Sequence, residues 1–188
     1  NFGADWHGPG EILYGNRGAV VVGELDGAMT DRAREMHRLL RLFEPDAILT
    51  DNIYGYLWGK LAYGAMLFGT ALTNDSMSAN FADPARLPVW LALGREVGAV
   101  AAARGVASLG FGDFDPKVFA PGAPEGPQVK TIAWLADYTA KTAKTHSGIW
   151  RDLAVRKRRT EARPQIGIIS ALGREVGVAT PALTTLVT

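Results

Sequence analysis

The pattern of apolar and polar positions changes character near residue 50. Before it, apolar residues fall in short runs. Glu11–Tyr14 and Ala19–Glu24 are β-prone, and Gly15-Asn16-Arg17-Gly18 between them is turn chemistry. Leu25-Asp26-Gly27 closes the second run. Thr30 then stands as a helix N-cap with Asp31 in the first turn, and Met36, Leu39, Leu40 and Phe43 recur on one helical face before Pro45. Ala47–Thr50 is a further short strand. Strand, strand, helix, strand is too little for an independent sheet and resembles the edge of a larger one.

From Asp51 onward the pattern is helical. Asp51 or Asn52 caps a helix predicted to about Thr73. Pro84 and Pro88 bracket the start of a second, Leu87–Arg104, which Gly105 ends. Ala107–Pro127, rich in Gly, Pro and Asp, reads as a loop. Further helices are predicted at about Gln128–Thr145, Ile149–Arg158 and Glu161–Glu175, and Thr180-Pro181 opens a last one with Pro in its first turn. The heptapeptide Ala92–Gly98 recurs identically at Ala171–Gly177; similarity fades outside it, as for two coincident helix ends rather than a duplication.

Composition narrows the class. The 188 residues are 47% hydrophobic and 21% charged, a globular balance with a formal charge of +1. That charge gives no general reason to bind nucleic acid or an anionic membrane. With no cysteine, disulfides, thiolate catalysis and cysteine-ligated metals are excluded, in keeping with a cytoplasmic location. Asn1-Phe-Gly-Ala-Asp-Trp6 lacks the basic and apolar regions of a signal peptide. Between Asn52 and Asn74 the only charge is Lys60, but the glycines and tyrosines of that stretch, without basic flanks, favour a buried soluble helix over a membrane span.

Candidate chemistry is sparse. Gly8-Pro9-Gly10 leads into a strand and Gly110-Phe111-Gly112 sits in a loop, so neither provides the strand–turn–helix context of a dinucleotide fingerprint. Lys60 interrupts an apolar helix on a face shared with Tyr56, Tyr63, Gly64 and Leu67. It is either a proton donor to a developing alkoxide or a lysine snorkelling at the core's edge. Glu161, after the basic run Arg156-Lys157-Arg158-Arg159, is either a site carboxylate or an acid at a helix start. The run itself is a solvated face or a phosphate contact. Ser147 is a helix cap or a hydroxyl that binds a substrate carboxylate. His7, His37 and His146 have no ligand spacing, so no metal site is expected, and Ser147, His146 and Asp152 lack a nucleophile elbow.

The order of these pieces is informative. Gly8-Pro-Gly…Gly15, Val22-Gly-Glu-Leu-Asp-Gly27 and Asn52-Ile-Tyr-Gly-Tyr-Leu-Trp-Gly-Lys60-Leu61 are followed by Ser147…Trp150-Arg-Asp-Leu153…Arg159-Thr-Glu161, Gly167 and Gly177-Val-Ala-Thr-Pro181. Over essentially the whole chain this closely resembles the ketopantoate reductase family. The resemblance implies a mainly α fold: a helical domain like the C-terminal domain of 6-phosphogluconate dehydrogenase, residues 51–188, preceded by residues 1–50 as the tail of a truncated Rossmann domain. About the first hundred residues of a family member would then be missing, with most of the NADP site.

By the same resemblance, Lys60 corresponds to the lysine that protonates the carbonyl oxygen, and Glu161 to the glutamate that binds the substrate hydroxyl. Ser147 lies near the carboxylate-binding serine, with Gly148 an equally possible match because the spacing to Glu161 is longer here. The family usually places asparagines one and two turns after the lysine, where this chain has Gly64 and Phe68, and an acid and an asparagine after the glutamate, where it has Arg163 and Ile166. The expectation is an NADPH-dependent reductase of a 2-oxo acid, ketopantoate or a related one, acting as a homodimer. The competing class is a non-catalytic helical dimerisation or ligand-binding module.

Overall fold

The computed structural model describes residues 3–16 and 18–188. Arg17, within the expected Gly15–Gly18 turn, and Asn1 and Phe2 of the leading segment lie outside the described residues. Strands β1 (Gly3–Gly8) and β2 (Glu11–Asn16) form an antiparallel hairpin around Pro9-Gly10, with Trp6 opposite Ile12. Gly10 takes the positive φ of +78° that the tight turn requires. β1 is absent from the sequence reading, because Gly3–Gly8 carries little apolar alternation.

β3 (Val21–Val22) pairs in parallel with β4 (Ile48–Leu49), and helix α1 (Asp31–Phe43) is the crossover between them. The Thr30 side chain caps α1 by accepting from the Ala33 N–H at 3.1 Å. Met36, Leu39 and Phe43 of the apolar face are exposed, and only Ala33 of α1 is buried. Strands two residues long cannot cover that face.

Helix α2 (Ile53–Thr70) is the axis of the rest. Asn52 caps it, accepting from the Gly55 N–H at 2.9 Å, and its own amide donates to the Ala107 carbonyl at 2.8 Å. Trp58, Ala62, Ala65 and Met66 pack with Trp90, Leu93 and Val97 of α4 (Leu87–Ala103). Ile132 and Leu135 of α5 (Glu125–Ala140) join the same core, as do Ile169 of α7 (Ile168–Glu175) and Leu183 of α8 (Pro181–Val187). The only extended pairing among the described residues after Asp51 is an isolated bridge, Phe111 to Phe114. The architecture is therefore mainly helical, with a small α/β portion before it.

Two elements depart from the expected order. Helix α3 (Met77–Ala82), capped by Ser76, occupies a stretch too short for periodicity to reveal. The expected loop 107–127 is part of the core: Phe114 and Phe119 are each 1% exposed, and Pro116–Phe119 makes a 3₁₀ turn. Phe114 lies against Tyr63 and Phe111, and Phe119 fills the space that side chains at Gly94 and Gly98 of α4 would need. Composition marked this segment as loop, yet its aromatic residues plug the bundle.

Phe119→Ala is expected to destabilise the chain by about 3–5 kcal/mol through loss of buried ring and the cavity left behind. The midpoint of urea unfolding measures it; a loss well under about 1 kcal/mol, typical of surface positions, would return the segment to the loop class.

Candidate functional site

Lys60 is presented by a helix whose neighbouring face is closed by backbone. Leu109 donates its N–H to the Gly55 carbonyl at 2.9 Å, and a Cβ on Gly59 would stand 1.9 Å from the Leu109 carbonyl oxygen. Only glycine admits that approach. Lys60 follows directly and opens on a cavity of about 290 Å³, walled by Ala19, Val21, Leu25, Tyr56 and Phe111. The wall is apolar, as expected, but the ammonium is not enclosed: Lys60 is exposed, since the cavity lies open between β3 and α2. Lys60 makes no hydrogen bond or ion pair with any described residue. Tyr63, one turn on, is buried; burial pushes its phenol well above the usual range, and it serves as core.

The second candidate region begins where the turn after α2 docks. Asn74 accepts from the Trp150 indole at 3.2 Å, its carbonyl meets His146 Nε2 at 3.2 Å, and Met77 donates to the Thr145 carbonyl at 2.9 Å. Ser147 is 2% exposed and accepts from the Trp150 N–H at 3.2 Å, so it is the N-cap of α6 (Gly148–Trp150). It does not line the adjacent cavity, whereas Gly148 does. α6 continues into a π-helical turn, Arg151–Val155, and a second such turn, Arg163–Gly167, precedes α7. Wide turns of this kind are frequent at functional sites.

Glu161 lines that cavity, about 250 Å³, with Phe68, Gly148, Ile149, Asp152 and two arginines, Arg156 and Arg158. It accepts from the Gln165 side-chain amide on its own helical segment. Lys60 and Glu161 therefore line different cavities. Between the residues of these cavities, Lys60, Gly64 and Phe68 follow at successive turns of α2, about 12 Å from first to last. A Cβ at Gly64 would meet nothing within 4 Å, so the helix is uncovered at that point, although Gly64 lines neither cavity. The sequence reading missed Asp152 as a member of this group. Its Asp-x₃-Arg spacing was the available signal, since four residues bring side chains to one helical face. Among the described residues, no group of His, Asp or Glu could hold a metal ion and no helix is long and apolar enough to cross a membrane.

Residues 52–188 match the family described as Ketopantoate reductase PanE/ApbA C terminal. No curated protein matches the sequence. Among solved structures, a D-mandelate dehydrogenase in complex with NADH has a TM-score of 0.76 at 20% identity, covering 99% of this chain and 57% of that one. A 2-dehydropantoate 2-reductase from Geobacter metallireducens GS-15 has 0.77 at 21%, covering 100% and 56%. A dimeric ketopantoate reductase from Staphylococcus aureus has 0.68 at 17%, covering 100% and 57%. The chain thus spans little more than half the length of these structures, which share its fold.

Arg158 and then Arg156 hold the Asp152 carboxyl below its ordinary value of 3.8. A depressed carboxyl stabilises the folded state above its ordinary value and loses that contribution as pH falls through the lowered one. Acidification should therefore release the Arg156–Arg158 turn only below pH 3.8. Following the Asp152 carboxyl by NMR tests this: titration at or above the ordinary value would mean that the pairs do not form in solution.

Proposed function

Because the chain belongs to the ketopantoate reductase family, whose C-terminal domain matches residues 52–188, we propose that it is the substrate-side part of an NADPH-dependent reductase of a 2-oxo acid. The observation that carries this reading is Lys60, an ammonium at the rim of an apolar cavity with no partner among the described residues. Residues 1–50 belong, in this reading, to the tail of the nucleotide-binding domain, and 51–188 form the domain that closes over substrate.

The residues present fit only the reactive end of the cofactor. Ala19, Val21 and Leu25 form an apolar wall beside Lys60 suited to a flat ring. The strand–glycine turn–helix unit that the described residues do contain, β3, Gly23–Gly27 and α1, suits no pyrophosphate, because Glu24 and Asp26 occupy the turn and the Asp26 and Thr30 side chains already accept the Ala28 and Ala33 amides; Gly8 and Gly10 belong to a hairpin. The nicotinamide, when bound, supplies hydride to the carbonyl carbon. Lys60 then has one task, donating a proton to the oxygen as negative charge gathers there. Glu161 accepts from a substrate hydroxyl and sets the orientation of the reacting group. Gly64 leaves room for the substrate between them, and Ser147, through its cap on Trp150, holds the strip carrying Gly148 at the cavity wall.

A homodimer accompanies this reading. Leu57, Leu72 and Val89 of the helical part are exposed, as are Leu39, Leu42 and Phe43 of α1. A second copy would cover part of that apolar surface.

In the full-length protein, Lys60→Ala should lower kcat by roughly 10²–10⁴-fold while cofactor affinity changes little, because the lysine's contact strengthens only as charge develops. An unchanged kcat ends the assignment. The 188 residues alone should show no micromolar NADPH binding by calorimetry. A clear micromolar isotherm would mean that the pyrophosphate is held by residues of this chain.

A further inference from the structure

The heptapeptide Ala92–Gly98 and its identical copy Ala171–Gly177 put the same residues in two surroundings. In the first copy Arg95 donates to Glu125 Oε2 at 2.6 Å and to Gln128 Oε1 at 2.7 Å. Glu96 accepts the Ala182 and Leu183 N–H groups at 2.8 Å each, so the first amides of α8 are already taken. In the second copy Glu175 pairs with Arg104 at 3.2 Å. Arg174, however, is exposed, and its guanidinium has no partner among the described residues. The arginine that a carboxylate and an amide oxygen satisfy in α4 is left open in α7.

Arg174 lines a cavity of about 670 Å³ between α7 and α8, which shares no residue with the Lys60 and Glu161 cavities. Ser170, one helical turn before Arg174 on the same face, lines it too. Ser170 Oγ is shut from solvent and has no hydrogen-bond partner among the described residues. A buried hydroxyl left unpaired is unfavourable, and rotation about its Cα–Cβ bond toward the cavity breaks no hydrogen bond.

The remaining lining decides the ligand. Thr184 and Thr185 have given their hydroxyl hydrogens to the Thr180 and Pro181 carbonyls, at 2.7 and 2.9 Å, and can only accept. No acidic residue lines the cavity, and Val178, Ala179 and Val187 give it an apolar wall. The donors it offers are thus one guanidinium and one hydroxyl. One positive charge balances one negative charge, and the planar fork of a guanidinium matches the two oxygens of a carboxylate. A phosphate dianion would keep an unbalanced charge against the apolar wall.

We propose that the cavity between α7 and α8 binds a monocarboxylate with a short aliphatic body, its carboxylate held by Arg174 and Ser170. None of the large exposed apolar side chains lines this cavity, which favours a small ligand over a protein partner. The assignment is independent of the reductase reading, since neither Lys60 nor Glu161 takes part.

Calorimetric titration of the full-length protein with 3-methylbutanoate, 3-methylbutanamide and inorganic phosphate tests this. The acid should bind at least about tenfold more tightly than the amide, because only the acid gives Arg174 a charged acceptor. Arg174→Gln should bring the acid down to the affinity of the amide. Ser170→Ala should weaken acid binding by about tenfold without lowering the Tm, because the hydroxyl it removes has no partner in the protein. Lys60→Ala and Arg158→Gln should leave the acid isotherm unchanged. Loss of acid binding in either of those two, with Arg174→Gln unaffected, would put the ligand in another cavity and overturn the site. No binding of the acid overturns it as well. Acid and amide binding equally, or phosphate binding as tightly as the acid, overturns the carboxylate assignment. A lowered Tm with unchanged acid affinity in Ser170→Ala would make the serine merely structural.

Discussion

The structure depends on one close approach of two backbones. The segment 107–110 lies directly on α2 at Gly55 and Gly59, where a Cβ would stand 2.5 Å from the Ala107 oxygen and 1.9 Å from the Leu109 oxygen. Only glycine lets an interior helix be crossed so closely, and the crossing is fastened at both ends, by the Asn52 amide on Ala107 and the Leu109 N–H on Gly55. Because the segment is held there, Phe111, Phe114 and Phe119 enter the core behind it. Since Gly59 immediately precedes Lys60, the same contact sets the helix rotation that turns the lysine toward β3.

A second fastening lies at the other end of α2. Asn80, fully buried, donates to the carbonyls of Asp75 and Ser76 and to Thr73 Oγ1, and accepts from Arg86 at 2.7 Å. A buried amide with so many partners makes the turn rigid, since any lost bond would leave a polar group unpaired without water. That rigid turn is what His146 and Trp150 dock on, with their rings 4.1 Å apart. The placement of Ser147, Gly148 and everything up to Glu161 therefore descends from Asn80, a residue that makes no contact with either candidate cavity.

How much of this was legible depended on how local each cause was. The caps Thr30 and Asn52, the proline opening α4 and the glycine ending it act within one helical turn, and each appeared in the sequence as it does in space. The mainly helical order was legible for the same reason. Phe111, Phe114 and Phe119 were not, because their spacing fits neither helix nor strand and their burial depends on glycines of other helices, Gly55 and Gly59 of α2 and Gly94 and Gly98 of α4. Lys60 stood out as the one charge in an apolar stretch, but its exposure is decided by β3, a tertiary neighbour. The basic run reads as a solvated face or a phosphate contact, since nothing in the order of residues 156–159 announces that Lys157 turns the chain back on itself.

The face of α2 between the two cavities is defined by a side chain that α2 does not have. From Lys60 to Phe68 the helix rises about 12 Å, and the position between them is Gly64, with open space where a side chain would be. A longer residue there would stand between the ammonium and the guanidiniums and divide the face. Its absence leaves local space on the face that runs from Lys60, at the rim of one cavity, to Phe68, in the wall of the other. Lysine and arginine are the two side chains long enough to lean across such a gap and still keep their apolar stems against its walls.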